Sequence, residues 1–188
     1  MNSASLRAVL LDRDGVINFD SDAFIKSARE WRPIPGALEA VATLQQHFEV
    51  AVCTNQSGLG RGLLSDADLA DIHRRMLEEL IRAGGRQLDI YFCPHLPEDG
   101  CHCRKPEPGL LHAAMQPLGV AADQVVFVGD SIRDLQAAGH AGCHAALVLT
   151  GNGAKTLEES KTSGLTGDFS VHASLADLTA KLCKDTPI

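Results

Sequence analysis

The feature that most constrains this chain is a regular alternation of short apolar runs with amphipathic stretches. The apolar runs, at 8–11, 49–53, 89–92, 125–128 and 145–149, have the length and continuity of strands that are buried on both faces. Helical patterns lie at 37–46, 65–84, 110–118, 132–141 and 174–182, and 151–167 is predicted to be a surface loop or a weak helix. Ser65, with Asp68 three residues on, is predicted to cap the start of the second helix. The alternation predicts an α/β fold with a doubly wound parallel sheet.

Composition excludes several other classes of protein. With 45% hydrophobic and 22% charged residues, the chain is predicted to form one globular domain over 1–188. No run approaches the ~20 apolar residues of a membrane span, so no membrane contact is expected. The 17 basic and 24 acidic side chains give a net charge of −7, which argues against nucleic acid as a partner. Residues 1–11 lack the pattern of a secretory signal, and we therefore expect a cytoplasmic protein.

Two aspartates follow the first apolar run, at the sheet edge where parallel strands place their ligands. Asp12 and Asp14 are separated by one residue, and Gly15 permits the bend that brings both carboxylates to one crevice. One carboxylate can then act as a nucleophile and the other as a general acid and base. Taken alone, Asp-x-Asp-Gly is equally typical of an Asx turn at a strand end.

Three further segments supply polar groups to the same edge. Thr54 begins a loop of Asn, Gln, Ser and Gly residues that suits a phosphoryl oxygen, although an ordinary loop can have this composition. Lys105 lies between a cysteine cluster and prolines, which favours a phosphate partner over a solvated lysine. Asp130 ends the fourth run and Asp134 follows one helical turn later, so both can offer the oxygen ligands that Mg²⁺ prefers.

In this order the four motifs resemble the haloacid dehalogenase superfamily of phosphohydrolases, from about residue 8 to residue 149. The resemblance implies a Rossmann-like core in which Asp12 attacks phosphorus to form an aspartyl-phosphate. It implies that Asp14 protonates the leaving oxygen and then activates water, while Thr54 and Lys105 hold the transferring phosphoryl oxygens. The implied Mg²⁺ ligands are Asp12, Asp14 (through its backbone carbonyl) and Asp130, with Asp134 as a supporting carboxylate.

The six cysteines are unevenly distributed, which separates candidate ligands from candidate core residues. Cys53, Cys143 and Cys183 stand alone in apolar or helical patterns and are predicted to be buried in the core. The others join a histidine in the pattern Cys-x-His-x5-Cys-x-Cys, which fits a closed, structural zinc site. The predicted zinc ligands are Cys93, His95, Cys101 and Cys103. A reduced thiol cluster, or His102 in place of His95, are the alternatives.

The spacing of the motifs leaves no room for a separate cap domain. Helices, strands and the zinc loop (93–103) occupy the intervals 14–54 and 54–105, so loops are expected to provide specificity. A capless member with this zinc loop resembles two groups of phosphatases. One acts on D-glycero-D-manno-heptose 1,7-bisphosphate in the synthesis of lipopolysaccharide precursors, and the other acts on histidinol phosphate.

Ser57 favours the heptose group, because the histidinol-phosphate group typically carries Asp at this place. The resemblance then implies removal of the phosphate at carbon 7, with Arg61 and Arg104 as candidates for the second phosphate. The implied substrate contacts are Asp20, Ser21, Asp22, Ala23, Asn55, Gln56, Ser57, Arg61, Arg104 and Ser131. The chain departs from the heptose group at 20–23, where a Gly-Tyr pair is usual, and at Ser131, where Lys is common.

We expect a small phosphorylated sugar as substrate and a monomeric enzyme. A phospho-receiver domain also surrounds a phosphorylated Asp with carboxylates, Thr and Lys, but it lacks an Asp two residues later and needs no zinc loop. A zinc-dependent interaction module is another alternative, but it assigns no function to the aspartate motifs. A polynucleotide 3′-phosphatase would need a basic groove and stacking aromatics, and this chain has one Trp and one Tyr.

Overall fold

The computed structural model describes residues 6–162 and 167–184, and within them six strands form one sheet. The strands are β1 (Ala8–Leu11), β2 (Glu49–Asn55), β3 (Asp89–Cys93), β4 (Val125–Gly129), β5 (His144–Val148) and β6 (Phe169–His172). Their order is β3-β2-β1-β4-β5-β6, and all neighbouring pairs are parallel. The predicted doubly wound parallel sheet is therefore confirmed.

Helices cover both faces of this sheet. They are α1 (Ala37–Leu44), α2 (Asp66–Arg82), α3 (Gly109–Leu118), α4 (Ile132–Ala141), α5 (Gly153–Ser160) and α6 (Leu175–Lys184). The start of α2 is the capping box that the sequence suggests: the Asp68 amide donates to Ser65 Oγ (3.2 Å), and the Ser65 amide donates to Asp68 Oδ2 (2.8 Å). No helix in the described part of the chain is long and apolar enough to cross a bilayer.

Alternation along each strand divides the core into two apolar layers. In β1, Val9 and Leu11 pack into the layer that also holds α1, α2 and α6, whereas Ala8 and Leu10 pack into the layer with α3 and α4. All four side chains are fully buried. Both faces of the central strand are thus covered, which explains why the strand appears in the sequence as an unbroken apolar run.

The main differences from the predicted elements lie after β5. Residues 151–167 contain a regular helix, α5, although Gly, Thr and Ser give this stretch a weak helical propensity. Thr156 on this helix is buried, and packing against β5 outweighs the propensity. Residues 163–166 of the stretch lie outside the described residues. The edge strand β6 was not predicted, because its four residues carry no continuous apolar run.

Between β1 and β2 the described chain forms a loop and α1, and between β2 and β3 it forms a short loop and α2. Neither connection contains a separate domain, so the predicted absence of a cap agrees with the structure. The order of strands reverses between β1 and β4, which are neighbours in the sheet. A crevice opens at the carboxyl ends of strands at such a reversal, and this is where ligands bind in open α/β sheets.

Candidate active site

A cavity of about 260 Å³ lies at this edge, over the carboxyl ends of β1, β2 and β4. It brings together the predicted catalytic and magnesium-binding residues, namely Asp12, Asp14, Thr54, Lys105, Asp130 and Asp134. Its wall also includes most of the predicted substrate contacts, namely Asp20, Ser21, Asp22, Asn55, Gln56, Ser57, Arg104 and Ser131. Ala23 and Arg61 do not line it: Ala23 faces a neighbouring groove and Arg61 is exposed.

A buried lysine connects two of the aspartates. Lys105 Nζ lies 2.9 Å from Asp12 Oδ1 and 2.7 Å from Asp134 Oδ1, and the lysine side chain is only 2% exposed. Burial alone would lower the pKa of Lys105, but these two carboxylates outweigh it and raise the pKa above its ordinary value. The lysine is therefore a fixed positive charge beside Asp12.

Asp134 has both carboxylate oxygens engaged by the protein. Oδ1 is paired with Lys105, while Oδ2 accepts hydrogen bonds from the backbone amide (3.0 Å) and the hydroxyl (2.5 Å) of Ser131. A carboxylate held in this way is better placed to orient Lys105 than to bind an ion directly. The arrangement agrees with the supporting part that the resemblance implies for Asp134.

Asp14 is held by three side chains from two loops. Arg13 is buried and its NH2 group lies 3.0 Å from both oxygens of Asp14, while Asn18 and Gln56 each donate at 2.8 Å. Burial would raise the pKa of Asp14, but the charge of Arg13 and these hydrogen bonds outweigh it and lower the pKa. Arg13 was not predicted as a site residue. Its position between Asp12 and Asp14 in the sequence is the signal that could have indicated an ion pair with one of them.

The loop after β2 prepares Thr54 and Lys105 for a ligand. Gln56 donates to Thr54 Oγ1 at 3.0 Å, so the threonine hydroxyl keeps its own proton available for an acceptor in the cavity. The Asn55 side chain accepts from the backbone amide of Lys105 and donates to its backbone carbonyl, both at 3.1 Å. Asn55 thus positions Lys105, in addition to the substrate contact predicted for it.

Asp130 is enclosed by two glycines and an asparagine. A β-carbon on Gly15 or on Gly151 would come within about 2.0–2.2 Å of Asp130 Oδ2, so only glycine fits at either position. The backbone amide of Asn152 donates to this oxygen at 2.7 Å. The side-chain amide of Asn152 donates to Asp20 Oδ2 at 3.1 Å and thereby connects Asp130 to the first loop. Sequence reasoning missed Asn152, because it belongs to the segment after β5.

The carboxylates at this edge outnumber the cations and fit a divalent metal ion. Asp12, Asp130 and Asp134 each place an oxygen within 4.8 Å of the others. Burial and repulsion from neighbouring carboxylates raise the pKa of Asp12 to about 7, although Lys105 opposes this, and raise that of Asp130 to about 8. A divalent cation would remove this repulsion, and hard oxygen donors suit Mg²⁺.

The cysteine cluster fits a tetrahedral zinc ion. Cys93 Sγ lies 3.5 Å from His95 Nδ1, 3.6 Å from Cys101 Sγ and 3.3 Å from Cys103 Sγ. Zinc bonds of about 2.0–2.3 Å in a tetrahedron place ligand atoms roughly 3.6–3.8 Å apart. All three cysteines are free thiols. His95 supplies the nitrogen donor and His102 stands outside the cluster, so the geometry favours the predicted ligand set over its alternative.

The three isolated cysteines are not equally buried. Cys53 in β2 is fully buried, as predicted. Cys143 and Cys183 are only half-buried, which corrects the prediction that both belong to the core. Cys143 follows the glycine that ends α4, and Cys183 lies in the last turn of α6, so each stands at the margin of an apolar layer.

Known proteins are similar to this sequence over most of its length. The D-glycero-beta-D-manno-heptose-1,7-bisphosphate 7-phosphatase of Bordetella bronchiseptica is 51% identical over 155 residues, which cover 82% of this chain and 87% of the relative. The phosphatase of the same name from Pseudomonas aeruginosa is 50% identical over 150 residues, covering 79% and 84%. The chain belongs to the D-glycero-beta-D-manno-heptose-1,7-bisphosphate 7-phosphatase family.

Solved structures of this phosphatase family have the same fold. The D,D-heptose 1,7-bisphosphate phosphatase of B. bronchiseptica, complexed with magnesium and phosphate, matches with a TM-score of 0.91 at 47% identity, covering 96% of this chain and 100% of that one. The phosphatase of Burkholderia thailandensis matches with a TM-score of 0.72 at 35% identity, covering 94% and 98%. A HAD-hydrolase-like family model also matches residues 102–178. The predicted haloacid dehalogenase-like phosphatase is confirmed.

Proposed function

We propose that this enzyme removes the C7 phosphate of D-glycero-D-manno-heptose 1,7-bisphosphate, through an aspartyl-phosphate on Asp12. The observation that carries the proposal is the environment of the Asp12 carboxylate. Its Oδ1 accepts a hydrogen bond from the Arg13 amide (2.7 Å) and pairs with Lys105, whereas no described residue donates to Oδ2. One oxygen is thus anchored and the other is left to react.

In the first half of the reaction, Oδ2 of Asp12 attacks phosphorus as the bond to the sugar oxygen breaks. Thr54 and Lys105 hold the phosphoryl oxygens, and positioning with charge stabilisation supplies most of the catalysis. Asp14 donates a proton to the leaving oxygen. The approach of a phosphate dianion favours the protonated form of Asp14, because nearby negative charge raises the pKa of a carboxyl.

In the second half, water attacks the phosphoryl group on Asp12 and transfers its proton to Asp14. Phosphate leaves and the Asp12 carboxylate is restored. Arg13, Asn18 and Gln56 hold Asp14 as a carboxylate in the free enzyme, which is the form that accepts this proton. These partners therefore support the general-base step directly.

The two candidate metal sites have different roles in this proposal, one catalytic and one structural. Asp12, Asp130 and the backbone carbonyl of Asp14 would hold Mg²⁺, which neutralises the phosphate facing the carboxylates and permits an anionic nucleophile to approach. The cysteine cluster would hold zinc in a closed, structural site. Because Cys103 lies two residues before Lys105, the cluster fixes the segment that presents Arg104 and Lys105 to the cavity.

The remaining expectations belong to the same proposal: one phosphatase domain over 1–188, acting as a monomer in the cytoplasm. The near-complete coverage of the B. bronchiseptica structure supports the single domain. The substrate contacts proposed are those predicted side chains that line the cavity, at the first loop (20–22), the loop after β2 (55–57), Arg104 and Ser131.

The test is Mg²⁺-dependent phosphate release by the purified enzyme, with heptose 1,7-bisphosphate and histidinol phosphate compared side by side. We expect kcat/KM for the bisphosphate to be higher by about a hundredfold or more, or about 2.7 kcal/mol of transition-state discrimination. A preference for histidinol phosphate would contradict the substrate assignment and the argument from Ser57. If neither compound is turned over, the assignment to the phosphatase family still stands, but the heptose substrate is contradicted.

A further inference from the structure

The cations that line the catalytic cavity divide into two pairs. Arg13 and Lys105 are buried, and each is already neutralised: Arg13 by Asp14, and Lys105 by Asp12 with Asp134. Arg104 donates to the backbone carbonyl of His95 at 3.0 Å, a neutral partner that leaves its charge uncompensated. Arg133 is exposed and forms no ion pair with any described residue.

Arg104 and Arg133 are each adjacent in sequence to one member of an ion pair. Each directly precedes a member of the pair formed by Lys105 and Asp134, whose charged atoms lie 2.7 Å apart. Arg104 comes from the segment that the zinc cluster fixes, and Arg133 from the first turn of α4. Two well-anchored elements therefore deliver the two guanidinium groups to neighbouring places.

Both arginines also line a second groove, of about 400 Å³, that runs beside the zinc loop. Arg104, Lys105 and Arg133 are shared by this groove and the catalytic cavity, so they mark the junction between the two. A ligand that extends from Asp12 across the junction meets two uncompensated positive charges. Among the residues that line the groove Glu107 is the acidic one, and Asp20 and Asp22 line the catalytic cavity.

We propose that Arg133, together with Arg104, binds the non-reacting phosphate of the substrate and determines the preference for a bisphosphate over a monophosphate. This inference rests on the proposed function and adds a specificity-determining residue to it. Guanidinium groups bind phosphate through paired, charge-assisted hydrogen bonds, and the N-terminus of α4 adds favourable positive potential. Arg61, the candidate from the sequence, is exposed outside the cavity, so Arg133 takes its place.

The test uses kcat/KM for heptose 1,7-bisphosphate and for the 7-monophosphate of the same sugar. In Arg133→Ala we expect the value for the bisphosphate to fall about 10- to 100-fold, mostly through KM, because a charged hydrogen-bond partner of the second phosphate is lost. The value for the monophosphate is expected to stay within about twofold. Arg133→Lys, which retains the charge but not the fork, should recover part of the loss.

Arg82→Ala is the matched control, since it removes the same charge from an exposed position on α2. Thermal unfolding of each variant shows whether the fold is retained, which the exposure of Arg133 leads us to expect. Calorimetric titration of Asp12→Asn with the bisphosphate, with and without Arg133→Ala, measures binding in the absence of turnover. The double variant, Asp12→Asn with Arg133→Ala, is expected to bind the bisphosphate at least about tenfold more weakly than Asp12→Asn alone.

An equal loss for both substrates, or a loss of bisphosphate preference in Arg61→Ala and not in Arg133→Ala, would overturn this inference. Failure of the proposed function gives a different result, because the unaltered enzyme would then release phosphate efficiently from neither heptose compound. The two failures are thus distinguished by the unaltered enzyme alone.

Discussion

The two clusters of candidate metal ligands are built in opposite ways. The cysteine cluster, the candidate zinc site, takes all four donors from one short segment, residues 93–103. The carboxylate cluster takes Asp12 from the end of β1 and Asp130 from the end of β4, which meet because these strands pair in the sheet. One site is thus encoded locally and the other is assembled by the fold.

This difference extends to the electrostatics of the two sites. The carboxylate cluster is buried, and burial with mutual repulsion raises the pKa values of Asp12 and Asp130. In the cysteine cluster Cys101, Cys103 and His95 are partly or largely exposed. A site assembled by the fold can place like charges together in the interior because the surrounding structure holds them there, and such crowded sites are typical of catalysis.

The largest effect should come from the nucleophile of the assembled site. Replacing Asp12 by Asn removes the attacking oxygen, and we expect turnover to fall by about 10⁴-fold or more. The fold should persist, because the substitution relieves repulsion and leaves Lys105 paired with Asp134. Phosphate release measures the first expectation, and thermal unfolding with zinc analysis measures the second. Activity above about 1% of the unaltered enzyme would show that Asp12 is not the nucleophile.

The cysteine cluster, the locally encoded site, should matter chiefly for the stability of the fold and for the position of Lys105. In Cys101→Ser we expect loss of bound zinc and destabilisation on the order of several kcal/mol, because metal binding contributes folding energy directly. Activity should fall less than in Asp12→Asn, since Asn55 also holds the Lys105 backbone. Metal analysis and denaturant unfolding check this, with Cys183→Ser as the control outside the cluster. Full retention of zinc would contradict the proposed ligand set.

An intermediate effect is expected at the link between the assembled site and the first loop. Asn152→Ala keeps the backbone bond to Asp130 but removes the side-chain amide, which donates to Asp20 at 3.1 Å and to Asp130 Oδ2 at 3.4 Å. We expect Mg²⁺ affinity to fall about tenfold, as is common when the partner of a metal ligand is removed. Calorimetric titration of Mg²⁺ without substrate measures this, with Lys155→Ala on α5 as the control. An unchanged Mg²⁺ affinity would limit Asn152 to holding the loop.

The smallest effect should come from a local feature far from both clusters. Ser65→Ala removes the cap of α2, and we expect it to lower the free energy of unfolding by about 1 kcal/mol. Denaturant unfolding gives this value, and zinc content and phosphate release should not change. A change in either would mean that the start of α2 is coupled to the sites, which would weaken the separation between local and assembled features.

Sequence patterns were reliable where the relevant spacing is short. The burial of β1 on both faces, the cap at Ser65 and the zinc pattern all depend on neighbours within about a dozen positions. Motif order also predicted that Asp12, Thr54, Lys105 and Asp130 share one edge, and the sheet places them there. Edge strand β6 and helix α5 were missed or left open, because packing and not periodicity determines them.

What the sequence by itself determined is the class of fold, the cluster of possible zinc ligands and the set of candidate catalytic residues at strand ends, since strand ends and ligand spacings are local properties. Only the tertiary structure decided that Arg13 neutralises Asp14, that Arg133 and not Arg61 reaches the cavity, and that Asn152 joins Asp130 to Asp20. Asn152 and Asp20 are 132 positions apart. Contacts over such a sequence separation follow from strand order and loop packing, and local periodicity in the sequence does not predict them.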